Sequence, residues 1–297
     1  MKKIILSILV LVCQQTLMSQ GDTPPAFLWK VNINGSEFHL AGSIHAGPEE
    51  PYSFPKAYLD AYQHADFVIL ELKEDFESLQ DLLFSYAAKD SLSEDQYLDK
   101  HLSQDSKEML ASLFKGREET LERYYRHEGW LLHMAISGMK SKLIGYDPEK
   151  AVDRFFHELA TGDQKSILGL DQIETQLRLF EFEVPLEHQV QIIESALKGA
   201  EPMARAEHAL FDSYFQQDRE AFREAFLKTM NLENPQIRAM YDMVFVRRNK
   251  TWVQKLIDLS TSQAGSYFML VGCGHYFGPE NVLELLEAEG FVPRQVR

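Results

Sequence analysis

Short apolar runs alternate with longer stretches of helical period along the 297-residue chain. Ala26 to Asn34 and Ser36 to Ile44 read as two strands joined across Asn34-Gly35, a dipeptide suited to a tight hairpin turn. Phe54 to His64 predicts a helix opened by Pro55. Phe67-Val68-Ile69-Leu70 is short and branched enough for a buried parallel strand, with Glu71 at its outgoing end. Asp75 to Met139 has helical period, with Leu79, Leu82, Leu83 and Tyr86 three and four apart. Lys142-Leu143-Ile144 predicts a strand ending at Gly145, Pro148 to about Leu159 a helix, and Lys165 to Leu170 a strand ending at Asp171. Pro185 to about Leu259 returns to helix, interrupted near Asn231 to Pro235. Ser266 to Val271 predicts a strand, Pro279 to Glu289 a helix closed by Gly290, and Phe291-Val292 a last strand. The layout is α/β (α+β): a central mixed sheet with helices and a large helical insertion. No linker rich in Gly, Pro or Ser divides residues 20–297, so they are expected to form a single domain.

One phrase occurs twice in this pattern. Phe38-His39-Leu40-Ala41-Gly42-Ser43-Ile44-His45 and Phe268-Met269-Leu270-Val271-Gly272-Cys273-Gly274-His275 both run through an apolar strand into Gly, two residues, then His. Gly lets the chain leave the sheet in a tight turn, so each His falls just past a strand's C-terminal end, where parallel sheets bind ligands. Such a turn needs Gly for its geometry but has no structural need for His. The pair therefore predicts one site built from both ends of the sequence.

Composition narrows what that site serves. Met1-Lys2-Lys3 and the apolar run Ile4 to Cys13 resemble a secretory leader ending at about Ser19, too short for the ~20 residues of a membrane span. The expectation is export to the periplasm or the extracellular space, with no membrane span after processing. Cys13, two residues after Leu11, offers lipid attachment as a lesser alternative, against which Val12 is bulky. Without the leader Cys273 is the sole cysteine, so no intrachain disulfide is expected. A net charge of −15 with no basic cluster argues against nucleic acid as a partner.

Four polar side chains are predicted at outgoing strand ends: His45, Glu71, Asp171 and His275. Two imidazoles with one or two carboxylates suffice for a divalent ion with open positions, and equally for a metal-free general base with an orienting carboxylate. Other candidates are weaker. His127 and His133 are six apart and do not share a helix face, and Ser43 lacks a Gly-x-Ser-x-Gly elbow. Cys273 corresponds to Ser43 in the repeat, which points to a need for a small residue rather than a nucleophile.

The ordered set Gly42-Ser43-Ile44-His45, Phe54-Pro55 with Ala65 to Glu71, Leu170-Asp171-Gln172-Ile173-Glu174-Thr175-Gln176, Arg248-Asn249 and Gly272-Cys273-Gly274-His275-Tyr276-Phe277-Gly278 resembles the TraB/GumN family, which includes the TIKI metalloproteases. The resemblance implies an EreA/ChaN-like fold. It also implies an active centre of His45, Glu71 and His275 holding Mn or Co, with Zn a further candidate, and Arg248 placed to hold a substrate carboxylate or anionic intermediate. Asp171 stands where the family usually has Glu, Tyr276 replaces a usual Leu, and Gly129-Trp130 replaces a common Pro-Trp.

The resulting expectation is an exported, metal-assisted hydrolase, a peptidase acting on a peptide or polypeptide. His45, Glu71, His275 and Asp171 are the candidate ligands, with Asp171 or Glu174 as orienting alternatives. A non-catalytic protein sequestering a peptide or haem, and a metal-free esterase with His as base, are the rival readings. The oligomeric state is not legible in the sequence.

Overall fold

The computed structural model describes residues 26–87, 92–177, 185–198 and 200–296. The expected leader and Cys13 lie outside them. Among the described residues the strands are β1 (Leu28–Ile33), β2 (Ser36–Ser43), β3 (Gly47–Pro48), β4 (Phe67–Leu70), β5 (Tyr146–Asp147), β6 (Ser166–Gly169), β7 (Ser266–Gly272) and β8 (Arg294–Gln295). Six of them form one mixed sheet in the order β6-β4-β7-β2-β1-β8.

The hairpin expected at Asn34-Gly35 is present. Both residues have positive φ, 50° and 91°, which matches the tight turn to the twist of β1 and β2 and sets Ile33 opposite Ser36. β2 then pairs in parallel with β7, β7 with β4, and β4 with β6. Val68, Ile69 and the whole of Tyr267 to Val271 are buried, because strands in the middle of such a sheet are covered on both faces. Helix α1 (Lys56–His64) joins β2 to β4. It covers one face together with α6 (Val152–Gly162), through Tyr62 and Phe156 against Phe268 at ring separations of 5.8 and 5.0 Å.

The insertion contains α2 (Phe76–Ala87), α3 (Gln104–Leu113), α4 (Glu118–Tyr125) and α5 (Gly129–Leu143), then α7 (Ile173–Leu177) and α8 (Leu186–Lys198) after β6. Leu98, Leu110, Phe114, Leu132, Ile136 and Ile193 form a second apolar cluster there, separate from the core around the sheet. The strand expected at Lys142-Leu143-Ile144 is instead the end of α5. Leu143 is 76% exposed, and the nearby strand is β5, which pairs with β3 outside the main sheet. The last strand falls at Arg294-Gln295 rather than Phe291-Val292, and pairs with β1.

Helices α9 (Ala200–Phe215), α10 (Arg219–Met230) and α11 (Pro235–Tyr241) follow. Asn231 ends α10 in the left-handed conformation and Pro235 opens α11, as the sequence interruption indicates. A π-helical turn, Asp242–Val246, leads into α12 (Arg247–Ser262), and α13 (Val282–Ala288) packs against α12. No helix among the described residues is long and apolar enough to cross a membrane.

Candidate active site

β2, β4 and β7 all point their C-terminal ends to the same edge of the sheet, and the candidate residues gather there. A Cβ placed on Gly272 would lie 3.4 Å from Glu71 Oε1, 3.6 Å from His45 Nε2 and 3.9 Å from His275 Cδ2. Residues at opposite ends of the chain thus surround one point, and the missing side chain of Gly272 leaves it open.

The two imidazoles reach that point differently. His45 Nδ1 donates to Asp153 Oδ2 at 2.8 Å, since a carboxylate only accepts, and Nε2 is left facing the centre. Asp153 lies in the first turn of α6. Its carboxylate pushes the His45 pKa up to about 9, even though 68% of the side chain is accessible. His275 is buried, and burial pushes its pKa down to about 3, so it is neutral at ordinary pH. Asn249 Nδ2 donates to the Glu280 carbonyl at 3.0 Å, which turns Asn249 Oδ1 toward the ring. His275 Nδ1 therefore carries the proton and donates to Oδ1 at 2.6 Å. Its Nε2 is a bare acceptor, facing Arg248 Nη1 at 3.3 Å. Trp252 packs against this ring at 4.3 Å and Phe245 at 4.9 Å, fixing its plane.

Arg248 is the hub of the acidic side. Its Nη2 donates to Glu71 Oε2 and its Nε to Asp171 Oδ2 at 2.8 Å, while Nη1 also reaches the Val244 carbonyl at 3.2 Å, in the π-helical turn. Glu71 Oε1 accepts from the Gly272 N–H at 2.9 Å. Burial alone would raise the Glu71 pKa, but Arg248, the His45 imidazolium and that N–H together hold it well below the usual carboxylate range. At 3.9 Å from a neutral His275, Glu71 makes no ion pair with that ring.

Asp171 is buried with both oxygens engaged, Oδ1 accepting from Trp252 Nε1 at 2.7 Å and Oδ2 from Arg248. In this arrangement it orients Arg248 and Trp252. Glu174 lies exposed on α7, while Gln176 of the same helix reaches both Glu71 and Asp171 at 3.3 Å. Cys273 is buried and burial raises its thiol pKa, which leaves it chemically quiet. Ser43 is buried on the strand beside Gly272, and its hydroxyl has no hydrogen-bond partner among the described residues.

Among the described residues no three His, Cys, Asp or Glu side chains form a ready-made metal cluster, and the guanidinium of Arg248 stands between the donors. Asp153 and Trp252 were not legible as site residues. Asp153 is 108 positions from His45, and nothing in the local pattern of either links them.

Residues 27–295 match the TraB/PrgY/gumN family. The chain belongs to that family. An uncharacterized protein of Treponema pallidum (strain Nichols) is 24% identical over 288 residues, covering 91% of this chain and 85% of the relative. The uncharacterized protein YbaP of Escherichia coli (strain K12) is 22% identical over 249 residues, covering 84% and 87%. No solved structure matches. As a TraB/PrgY/gumN protein the chain matches along nearly its whole length, so every residue of the gathered edge lies inside the family region.

Proposed function

We propose that this protein is an exported, metal-assisted hydrolase whose substrates are peptides or polypeptides. The observation that carries the reading is the convergence of His45 Nε2, Glu71 Oε1 and His275 about Gly272, with each imidazole tied through Nδ1 so that Nε2 is the nitrogen left to meet a ligand. Anchoring one ring nitrogen to a carboxylate or amide oxygen is how proteins present the other to a divalent ion.

The donor chemistry fits such an ion. His45, Glu71 and His275 would hold it, with Mn and Co the first candidates and Zn another, and Arg248 would give up its contact with His275 Nε2. A bound ion there would supply an activated water and polarise a carbonyl. The chain's own residues do the rest. Asp153 fixes the His45 tautomer, and Asn249 and Trp252 hold His275 in plane. Asp171 holds Arg248 by Nε, so the guanidinium arm released from His275 can bind a substrate carboxylate or a developing oxyanion.

The metal-free base reading meets a specific obstacle. With its pKa pushed up to about 9, His45 is protonated at neutral pH, so the base reading needs it to lose that proton unaided, whereas a divalent ion would displace the proton on binding. The test is to strip the protein with chelator, reload it with Mn, Co or Zn, quantify the bound ion and follow cleavage of a mixed peptide pool. Stoichiometric metal that restores turnover in wild type and is lost in His45→Ala and His275→Ala supports the proposal. Turnover indifferent to chelator, or metal bound equally by both variants, overturns it. Tight peptide binding without cleavage under any metal selects the sequestering alternative.

A further inference from the structure

A cleft of about 330 Å³ lies outside the centre, between the segment that follows His45 and the start of α6. Val152 and Arg154, on either side of Asp153, line it, and so does Pro48, three residues after His45. The cleft is thus built by the two segments that carry His45 and Asp153, the chain just after His45 and the start of α6.

Its floor is aromatic. Tyr52 packs edge-on against Phe54 and Phe215 at 5.0 and 4.7 Å, and Phe54 stacks on Phe155 at 4.9 Å. Its rim is acidic: Glu49, Glu50, Glu149 and Glu158 all line it. Two cations also line the rim, but both are engaged. Arg154 bridges Glu149 and Glu158, and Lys150 Nζ donates to the Glu49 carbonyl at 2.5 Å. The carboxylates of Glu49 and Glu50, both exposed, have no ion pair among the described residues.

An aromatic floor under unneutralised carboxylates matches one kind of occupant. Lysine and arginine carry a long methylene stem that packs on apolar surface and a charged head that stays at the wet rim, and aromatic faces attract their cations. An acidic side chain would be repelled, and a purely apolar one would gain nothing from the rim. The volume is at the small end of ligand pockets, which run from roughly 300 Å³ upward, so one side chain rather than a folded partner is the fitting guest.

We propose that this cleft is the subsite for a lysine or arginine side chain of the peptide substrate, next to the bond presented to His45 and His275. The inference rests on the peptide-hydrolase reading but is tested without turnover. Immobilised wild-type protein is incubated with a randomised octapeptide pool, and the retained peptides are sequenced by mass spectrometry. Lys and Arg should be enriched roughly tenfold at one position, as expected for a charge pair worth about 1.4 kcal/mol. The enrichment should disappear in Glu49→Gln/Glu50→Gln and turn to Asp and Glu in Glu49→Lys/Glu50→Lys. Both pairs change exposed side chains, and their folding is checked by circular dichroism. No positional enrichment, enrichment of apolar or acidic residues in wild type, or a basic preference unchanged in both variants overturns the subsite. Cleavage of the same pool is scored separately, so a basic preference without cleavage removes the hydrolase and leaves the subsite, whereas cleavage without preference does the reverse.

Discussion

Ser43 and Gly272 lie side by side in the parallel register of β2 and β7, although the repeated phrase equates Gly272 with Gly42. The two turns are thus one residue out of step, and a one-residue offset reverses the face each position presents. Gly272 opens on Glu71, His45 and His275, whereas Gly42 opens on Cys273 and Phe27. Beyond the two strands the histidines also part, with the His45 side chain largely accessible and His275 buried in a 3-10 turn.

The two glycines should therefore fail differently when substituted. A Cβ at position 42 would sit 2.3 Å from Cys273 Sγ and 3.2 Å from Phe27 Cβ, so Gly42→Ala is expected to cost about 1–3 kcal/mol as overpacking. The check is the urea midpoint, part of which Cys273→Ala should restore. Gly272→Ala meets nothing closer than 3.4 Å and should leave the midpoint nearly unchanged while weakening Mn binding at least tenfold, measured by calorimetry.

Asp153→Asn keeps the shape of the His45 partner but removes its charge. The His45 pKa should fall from about 9 toward the ordinary value near 6.5, read from ring proton shifts in an NMR titration. Metal affinity should drop by about 10–100-fold, the usual cost of losing an orienting partner. A titration curve identical to wild type would show that Asp153 does not hold this ring.

Arg248 keeps Glu71 and Asp171 tolerable in the interior. Arg248→Met leaves both carboxylates without their cation and should cost about 3–5 kcal/mol in denaturant unfolding. Adding Glu71→Gln should recover part of that loss. Arg248→Lys restores the charge but lacks the fork that reaches Glu71, Asp171 and His275 together, so it should fall between wild type and Met.

The two imidazoles pull the pH dependence of stability in opposite directions in the metal-free protein. The His45 pKa is raised on folding, so its contribution is complete below about 6.5 and is lost as pH rises toward 9. The His275 pKa is lowered, so the unfolded chain takes up the proton first, and its contribution is present above about 6.5 and lost as pH falls toward 3. Thermal melts across pH should slope down on both sides. His45→Gln should flatten only the alkaline limb, and His275→Asn only the acid limb above the carboxylate range. The alkaline limb should be the shallower, because solvent screens the accessible His45 pair.

The parts of the fold that were legible in the sequence are those where local pattern and burial agree. Phe67 to Leu70 and Ser266 to Val271 read as strands because burial on both faces leaves an unbroken apolar run. Asn34-Gly35 read as a turn because few other pairs accept two positive φ angles. Lys142 to Ile144 misled because three residues cannot distinguish a strand from the last turn of a helix, and Leu143 points outward. Gly-x-x-His marked both imidazoles, and a carboxylate at a strand end marked Glu71 and Asp171. The engagement of both Asp171 oxygens, the Asp153 anchor and the Trp252 packing come from segments far apart in the chain, and no local signal carries them.

The parallel pairing of β2 with β7 has a consequence for timing. Its partners are more than two hundred residues apart, as in Glu37 with Ser266, and β7 is the last of the three site-bearing strands β2, β4 and β7 to be synthesised. A nascent chain shorter than about residue 275 holds His45 and the site's carboxylates but lacks His275, and long-range strand pairing is among the slower steps of folding. Docking of β7 would therefore act as the switch for the chemistry proposed here, since neither imidazole has its counterpart before that strand is in place.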